Sequence, residues 1–149
     1  MSIRVPMGRV IVHLDSNPKD GSIASIIREY EERVRSRGIS VQFSERRGSN
    51  NYESELSDLP GHLVLLDERG ISMTSEEMAN WLHSAQLDSK KTNIAVGPPD
   101  GFSKEIRGSA DQMMSLSSLT LTHEMAGALL MEQLYRASEI NRGTAYHRK

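Results

Sequence analysis

The end of the chain carries side chains that could move protons and bind phosphate. The sequence finishes in NRGTAYHRK, so that a phenol, an imidazole, a guanidinium and an ammonium occupy positions 146–149. An imidazole can accept a proton near neutral pH, and a guanidinium can stabilise a developing anion or hold a phosphate. From Arg136 onward there are four basic residues and one acidic residue, Glu139. Taken alone, such an end is more often a solvated basic tail than a reactive site.

Three turns that follow apolar segments are candidates for a ligand site. They cover residues 67–70, 97–101 and 115–122. The middle turn, GPPDG, has two glycines that permit tight turning or the close approach of a ligand, and two prolines that stiffen it and remove two N–H donors. It matches neither the G-x-G-x-x-G dinucleotide fingerprint nor the Walker A motif. By its sequence alone it is more often only a turn.

The remaining chemistry-bearing residues do not predict a metal centre. His123 is interpreted as the residue that opens the last helix, and no pair or triad of His, Asp or Glu has metal-ligand spacing. The chain has no cysteine, which excludes a disulfide scaffold and a zinc ribbon and fits a reducing cytosol. We therefore predict that the protein binds no metal.

Short apolar runs predict the strands that position these turns. Four β-branched or continuous apolar runs are typical of buried strands, and a fifth segment predicts a strand followed by a loop. They are RVIVHL at 9–14, ISVQF at 39–43, HLVLL at 62–66, TNIAV at 92–96 and MMSLSSLTL at 113–121.

Helical spacing and capping residues predict the helices between the strands. Ser22 is placed to cap the first helix and Gly38 to end it, while Thr74 and Glu77 form a capping box for a second. Ser103 is expected to cap a short helix. The last helix is expected over residues 123–140, whereas the polar segment 44–61 predicts a long loop.

Strands that alternate with helices predict an α/β fold, a mainly parallel sheet flanked by helices. No linker or repeat divides the sequence, so residues 1–149 are expected to form a single domain. In an open parallel sheet, ligands bind at the carboxyl ends of the strands, which is where the three turns lie.

The last helix is apolar on most of its circumference, at Met125, Leu129, Leu130 and Leu134. A helix of this kind must be covered nearly all round, either by its own chain or by a second subunit. A homodimer is the simpler interpretation.

Composition limits the class of protein. The 149 residues are 37% hydrophobic and 26% charged, with a net charge of −2. These values suit a soluble globular domain and argue against a protein that coats nucleic acid with its whole surface. No apolar run approaches the ~20 residues that span a bilayer. The apolar stretch near the N-terminus is too short for the hydrophobic region of a secretory signal. A cytoplasmic protein is the expectation.

Five motifs, taken together and in order, resemble the ribosomal RNA large subunit methyltransferase H family, a group of small SPOUT-class methyltransferases. The motifs are LLDERG, VGPPDG, SLSSLTLTH, EQLYRA and the terminal YHRK. The resemblance runs from about Leu63 to the end of the chain. Before Leu63, only the order strand–helix–strand is compatible.

The resemblance implies a homodimer with a SPOUT-type α/β knot, in which the C-terminal region forms a trefoil knot that binds S-adenosylmethionine. Sequence physics would not predict a knot, because knots are nearly absent among folds. The positions that match the family's cofactor loops are Leu66, Asp67, Gly97, Pro98, Gly101, Leu116, Ser117, Ser118, Leu119, Thr120 and Leu121.

The resemblance also implies the reaction: methylation of N3 of a pseudouridine in large-subunit ribosomal RNA within the assembled ribosome. The family's C-terminal tail reaches the active site, and the matching residues are Tyr146, His147 and Arg148. His147 is the candidate for accepting the N3 proton. Arg148 or Arg136 would stabilise the imide anion or hold a phosphate.

Two positions depart from the family pattern, and they keep alternatives open. Pro98 stands where a second glycine is usual, and Gly127 stands where an arginine is usual. One alternative is a non-catalytic dimeric module on the same scaffold that binds RNA or the ribosome. The other sets the resemblance aside and takes the chain as a flavodoxin-like regulatory or ligand-binding domain.

Overall fold

Five parallel strands form the central sheet. The computed structural model describes residues 9–44 and 51–148, so predictions that concern other positions, Lys149 among them, lie outside the described residues. The order across the sheet is β2-β1-β4-β3-β5, and every pair of neighbours is parallel. The strands are β1 (Val10–Leu14), β2 (Ile39–Phe43), β3 (His62–Ser72), β4 (Thr92–Val96) and β5 (Gln112–Ser115). The predicted α/β fold with a parallel sheet is confirmed.

This strand order counts against the flavodoxin-like alternative. A flavodoxin-like sheet has the order 2-1-3-4-5, with the third and fourth strands in the opposite arrangement. Here β4 pairs with β1 and β3 lies between β4 and β5. The trefoil knot that the resemblance implies stays a prediction.

Helices cover both faces of the sheet. One face carries α1 (Gly21–Val34), α3 (Ser75–Leu87) and α5 (His123–Arg142), and the other carries α2 (Asn51–Ser57) and α4 (Lys104–Ser109). Alternation along each strand divides the apolar side chains between the two layers. Val10 and Val12 of β1 pack against the three-helix layer, while Leu63 and Leu65 of β3 pack against the two-helix layer.

Local signals placed most helix ends correctly. Thr74 and Glu77 form the predicted capping box, with each side chain accepting the backbone N–H of the other, at 3.1 and 3.0 Å. Ser103 caps α4 as predicted. The predicted cap of α1 was wrong. Asp20 is the N-cap instead, and its carboxylate accepts the backbone N–H groups of Ser22 and Ile23, two and three residues later. Gly38 ends this segment at φ 78°, after a short 3₁₀ turn (Arg35–Arg37).

Two expectations about the chain between β2 and α3 were wrong. The segment 44–61 is not loop throughout, because α2 forms within it and buries Tyr52 and Leu56, which lie one turn apart. The strand expected over 62–66 does not stop before DERG. It continues to Ser72 as β3, and residues 67–70 bulge outward, since Leu66 and Ile71 both lie opposite Met114 of β5.

The last helix is covered mainly by its own chain. Leu130 and Leu134 are fully buried between the sheet and the neighbouring helices, so a second subunit is not needed to cover them. Met125 is different, because 49% of it remains exposed at the start of the helix. The predicted homodimer therefore depends on the exposed N-terminal part of α5 rather than on its whole circumference.

Candidate active site

A cavity of about 530 Å³ opens at the carboxyl ends of β3, β4 and β5. It lies where the three turns singled out in the sequence leave the sheet, as the topology of a parallel sheet requires. Ten of the eleven residues expected at the cofactor line it, and Ser118 is the exception. The ten are Leu66, Asp67, Gly97, Pro98, Gly101, Leu116, Ser117, Leu119, Thr120 and Leu121.

The turn after β4 forms one wall of the cavity. The N–H of Gly101 donates to the carbonyl oxygen of Pro98 at 2.8 Å, and Gly101 has φ 79°, a conformation that favours glycine. Pro98 therefore takes part in the turn through its carbonyl group, so its missing N–H is no loss to the turn. A side chain at Gly97 would meet the ring of Phe102 at 3.4 Å, which leaves little room between the turn and the ring below it.

The bulge in β3 forms the second wall and carries charge. The carboxylate of Asp67, only 5% exposed, accepts the backbone N–H of Arg69 at 2.9 Å and its guanidinium at 3.1 and 3.2 Å. Gly70 passes so close to β5 that a Cβ atom would lie 2.5 Å from the backbone of Met113. The bulge therefore depends on glycine at this crossing, and it holds a carboxylate and a guanidinium at the cavity.

The loop after β5 forms the third wall. The hydroxyl of Ser115 donates to the carbonyl oxygen of Ser117 at 3.0 Å, and the hydroxyl of Ser117 accepts the N–H of Leu119 at 2.9 Å. Thr122 then caps α5 by accepting the N–H of Met125 at 3.2 Å. These local bonds fix the loop while leaving the side chain of Leu119 72% exposed.

The lining combines apolar walls with charged and polar groups. Leucine side chains supply much of the apolar part, whereas the polar part includes Asp67, Arg69, Asp100, Ser117, Thr120 and His123. The volume lies within the ~300–1,000 Å³ range of cofactor and small-molecule sites, which are mostly apolar with few fixed polar groups. The cavity can therefore hold a ligand with a flat apolar body and a polar edge.

A second cluster, at the end of the chain, surrounds Tyr146. Its ring meets Tyr135 edge-on with 4.7 Å between centroids, and its hydroxyl donates to Glu132 at 3.3 Å. The hydroxyl of Tyr30 lies 3.5 Å away. Burial, the hydrogen bond with Tyr30 and the charge of Glu132 raise the pKa of Tyr146 well above its ordinary value. The phenol therefore stays protonated at neutral pH and acts as a donor rather than a base.

His147 lies between a cation and an anion. Its Nδ1 is 3.2 Å from Nη1 of Arg136, and its Nε2 is 3.0 Å from the carboxylate of Glu76. A guanidinium can only donate, so Nδ1 must accept and Nε2 must carry the proton. Arg136 is held in turn by Glu132 at 3.0 Å and lies over the ring of Tyr146. The lone pair that would serve a general base is thus occupied by Arg136 in this arrangement.

A buried ion pair anchors the turn that leads into the tail. Arg37 lies 2.9 Å from the carboxylate of Glu139, which is 8% exposed, and it also donates to Ser138 at 2.7 Å. The hydroxyl of Thr144 donates to the same carboxylate, and this bond is the main cause of the lowered pKa of Glu139. Gly143, at φ 72°, ends α5 just before it. The tail therefore leaves the helix in a fixed direction and folds back along it.

The cavity and the tail cluster are separate places within one chain. Ala126 is the last residue of α5 that lines the cavity, and Arg136 follows it by ten residues, about 15 Å along the helix axis. Tyr146 and His147 face α1, α3 and α5 instead, and Arg148 is exposed. The structure thus brings the expected cofactor residues together, and it groups Arg136 with two of the tail residues elsewhere.

Sequence reasoning missed some of the lining. Phe102, His123 and Ala126 all line the cavity, although His123 was interpreted only as the residue that opens α5. It does open that helix. The position of His123 directly after the loop 115–122 could have predicted that it lines the cavity, because a residue that follows a strand-end loop lies at the same edge of the sheet.

The described residues form neither a metal site nor a membrane span. Across residues 9–44 and 51–148, no three His, Asp or Glu side chains converge as a metal site would require. The helices of that part of the chain are too short or too polar to cross a bilayer. The absence of a metal stays a prediction.

Known proteins match the chain over most of its length. Residues 9–147 match the family described as "Predicted SPOUT methyltransferase". A protein of Koribacter versatilis, named ribosomal RNA large subunit methyltransferase H, is 40% identical over 134 residues, covering 87% of this chain and 90% of that protein. The protein of the same name from Thermotoga neapolitana is 37% identical over 120 residues, covering 80% and 78%.

A solved structure confirms the fold independently of sequence. A probable methylase family protein from Haemophilus influenzae superposes with a TM-score of 0.59 at 16% identity, covering 91% of this chain and 67% of that one. At this identity the similarity concerns the fold alone. It matches the sheet and helix arrangement found here.

Proposed function

The chain belongs to the ribosomal RNA large subunit methyltransferase H family of SPOUT methyltransferases, and from this premise we propose that it methylates ribosomal RNA with S-adenosylmethionine. The acceptor we propose is N3 of a pseudouridine in large-subunit (23S) ribosomal RNA, modified within the assembled ribosome in the cytoplasm. The enzyme would act as a homodimer. The observation that carries the proposal is the cavity formed by the three loops that match the family.

The cavity suits the cofactor by its shape and its donor set. The leucine walls can enclose an adenine ring, and the hydroxyls of Ser117 and Thr120 can meet polar groups of the ribose. Gly97 and Gly101 let the backbone approach a ligand without side chains in the way. The carboxylate of Asp67 adds an acceptor, and its pairing with Arg69 keeps that acceptor oriented. We assign these residues to cofactor binding.

The bound cofactor supplies an electrophilic methyl group on a sulfonium centre. The protein then has to hold donor and acceptor in line and to remove a proton from the acceptor nitrogen. We assign the proton to His147, once its Nδ1 has left Arg136. Arg136 or Arg148 would then face the imide anion or a phosphate, and Tyr146, which stays protonated, would donate a hydrogen bond.

The separation of the tail from the cavity leaves two ways in which tail residues can reach a bound cofactor. His147 contacts Arg136, which lies about 15 Å along α5 from Ala126, the nearest cavity residue of that helix. Either the tail swings over its own cavity, or a tail meets the cavity of a second copy. Exposed apolar side chains at the cavity edge of the fold, Met125 and Leu119, are available for contact with that copy.

Cofactor binding and methyl transfer can be tested one after the other. Calorimetry with S-adenosylmethionine should show one cofactor per cavity. Methyl incorporation should then occur in ribosomes from a strain that lacks the modification, more than in protein-free ribosomal RNA. Absence of cofactor binding would overturn the proposal, and preference for free RNA would overturn the part that concerns the assembled ribosome.

A non-catalytic module that binds RNA or the ribosome is the second candidate. The position of His147 favours it, because the lone pair needed for proton removal is bound to Arg136 and lies away from the cavity. Such a module would bind ribosomes without transferring a methyl group. Ribosome binding with no incorporation at saturating cofactor would support this candidate over the enzyme.

A further inference from the structure

The short helix α2 contacts the cavity loop through two adjacent residues. This helix lies on the two-helix face of the sheet, in the segment that the sequence predicted to be a loop. We call residues 97–103 the cofactor loop, since they leave β4 and form the cavity wall described above. Tyr52 binds the residue that precedes this loop and stacks on Phe102 within it, and Glu53 binds the last residue of the loop, Ser103.

Tyr52 holds the beginning of the loop. Its hydroxyl lies 2.6 Å from the carbonyl oxygen of Val96 and 3.0 Å from that of His13. The hydroxyl proton is therefore shared between carbonyl groups at the carboxyl ends of β4 and β1. The ring stacks on Phe102 with 6.3 Å between centroids and an angle of 20°. Because Phe102 lies 3.4 Å below the position a Cβ of Gly97 would take, Tyr52 supports the floor under that glycine.

Glu53 holds the end of the loop. Its carboxylate accepts the backbone N–H of Ser103 at 2.9 Å and the hydroxyl of Ser103 at 2.5 Å. The same hydroxyl caps α4 by accepting the N–H of Ile106 at 3.4 Å. In a capping box the third helical residue would supply the acidic side chain, but in α4 that residue is the apolar Ile106. Glu53 replaces it from another helix.

We propose that Tyr52 and Glu53 are positioning residues that hold the cofactor loop in its binding shape before S-adenosylmethionine arrives. This inference rests on the proposed function. The two residues fix both ends of a loop whose middle is closed by the bond between Pro98 and Gly101. A loop that is already ordered loses less conformational entropy when a ligand binds, so its ligand binds more tightly.

The test compares variants on α2 that differ in whether they contact the loop. Tyr52→Phe removes only the hydroxyl, and Glu53→Ala removes the carboxylate. Glu53→Gln keeps one acceptor oxygen and should recover part of the effect. Glu55→Ala is the matched control, because Glu55 accepts a hydrogen bond from Ser44 rather than from the cofactor loop.

Two readouts separate positioning from folding. Hydrogen exchange of the amides of Gly97 and residues 100–103 in the cofactor-free protein should speed up in Glu53→Ala and Tyr52→Phe. In calorimetry, Kd for S-adenosylmethionine should rise about tenfold in Glu53→Ala and about fivefold in Tyr52→Phe, the loss expected for one or two hydrogen bonds. KM for the cofactor should rise in parallel, with kcat at saturating cofactor and the binding stoichiometry unchanged.

Each other outcome has a distinct meaning. If the stoichiometry and kcat fall while Kd and KM stay constant, the two residues only support folding and the inference is wrong. If the wild-type protein binds the cofactor and all variants bind equally well, the inference fails alone. If the wild-type protein binds no cofactor, the proposed function fails and the inference fails with it.

Discussion

Nδ1 of His147 accepts a hydrogen bond from the guanidinium of Arg136, at 3.2 Å. The bond fixes the neutral imidazole with its proton on Nε2, where Glu76 accepts it at 3.0 Å. Because Arg136 occupies the Nδ1 lone pair, His147 must leave Arg136 before Nδ1 can accept a proton.

A base at position 147 should show itself in the pH profile. His147→Ala is expected to lower methyl transfer at neutral pH by about a hundredfold, the usual range for loss of a general base. Raising the pH should restore part of the rate, because hydroxide then removes the N3 proton. The measurement is the initial rate of methyl incorporation into unmodified ribosomes between pH 6 and pH 9, at saturating cofactor.

The matched control for this series is His83→Ala, which removes an exposed imidazole from α3. It should keep the wild-type rate and pH profile. A His147→Ala variant that behaves like this control would show that another group takes the proton, or that none is needed.

Dimerisation should depend on the start of α5. Met125→Asp places a charge on a side chain that is 49% exposed in the single chain, so the fold should tolerate it. In a dimer that buries this surface, the unpaired charge would be costly, and we expect a monomer at micromolar concentration. Leu87→Asp is the control, since Leu87 is 69% exposed at the far end of α3. Light scattering gives the mass, and a wild-type monomer would refute the homodimer.

Sequence patterns predicted the sheet because two of its inner strands are buried on both faces. β1 and β4 are buried at every position, which produces the short apolar runs that stand out in the sequence. The cavity was predictable for a related reason, since the loops that follow such strands must lie at one edge. Ser118 is the one residue of that set that does not line the cavity, because spacing cannot tell which side chain of a loop turns inward.

The sequence did not predict α2 or the course of β3. Only Tyr52 and Leu56 mark the buried side of α2, and two apolar residues at i and i+4 are too weak a signal amid polar neighbours. DERG was interpreted as a turn, but the pairing of Ser72 with Ser115 on β5 continues the strand beyond it. The fold-back of the tail depends on long-range contacts with Tyr30 and Glu76, which no local pattern records.

Stability should fall in mild acid because of His13. This imidazole is buried, and burial lowers its pKa, while the hydrogen bond with Asn93 and the charge of Glu55 oppose the shift only in part. The unfolded chain then binds a proton near pH 6.5 that the folded chain does not, so the free energy of unfolding decreases as pH falls from about 6.5 toward the folded pKa. Above about pH 6.5 the contribution is fully present.

Urea unfolding between pH 5 and pH 8 can isolate this contribution. His13→Gln keeps a polar side chain beside Asn93 but does not titrate, so its stability should depend less on pH than that of the wild type in the window below pH 6.5. His83→Gln, at an exposed position, should keep the wild-type slope. Equal slopes in all three proteins would mean that other groups cause the loss in acid.

Deletion of residues 146–149 should separate methyl transfer from cofactor binding. The deletion removes Tyr146 and His147, which contact α5 and α3 but not the cavity. We expect S-adenosylmethionine to bind within about twofold of the wild-type Kd, and methyl transfer to be lost. Stability should drop by about 1 kcal/mol, because one aromatic pair, Tyr135 with Tyr146, disappears.

Tyr146→Phe keeps that ring and should keep the wild-type stability, so that any loss of rate in it reports the hydroxyl. Calorimetry, thermal unfolding and methyl incorporation are measured on the same preparations. Full activity in the truncated protein would mean that the tail is a solvated end and that the reaction needs no group from it.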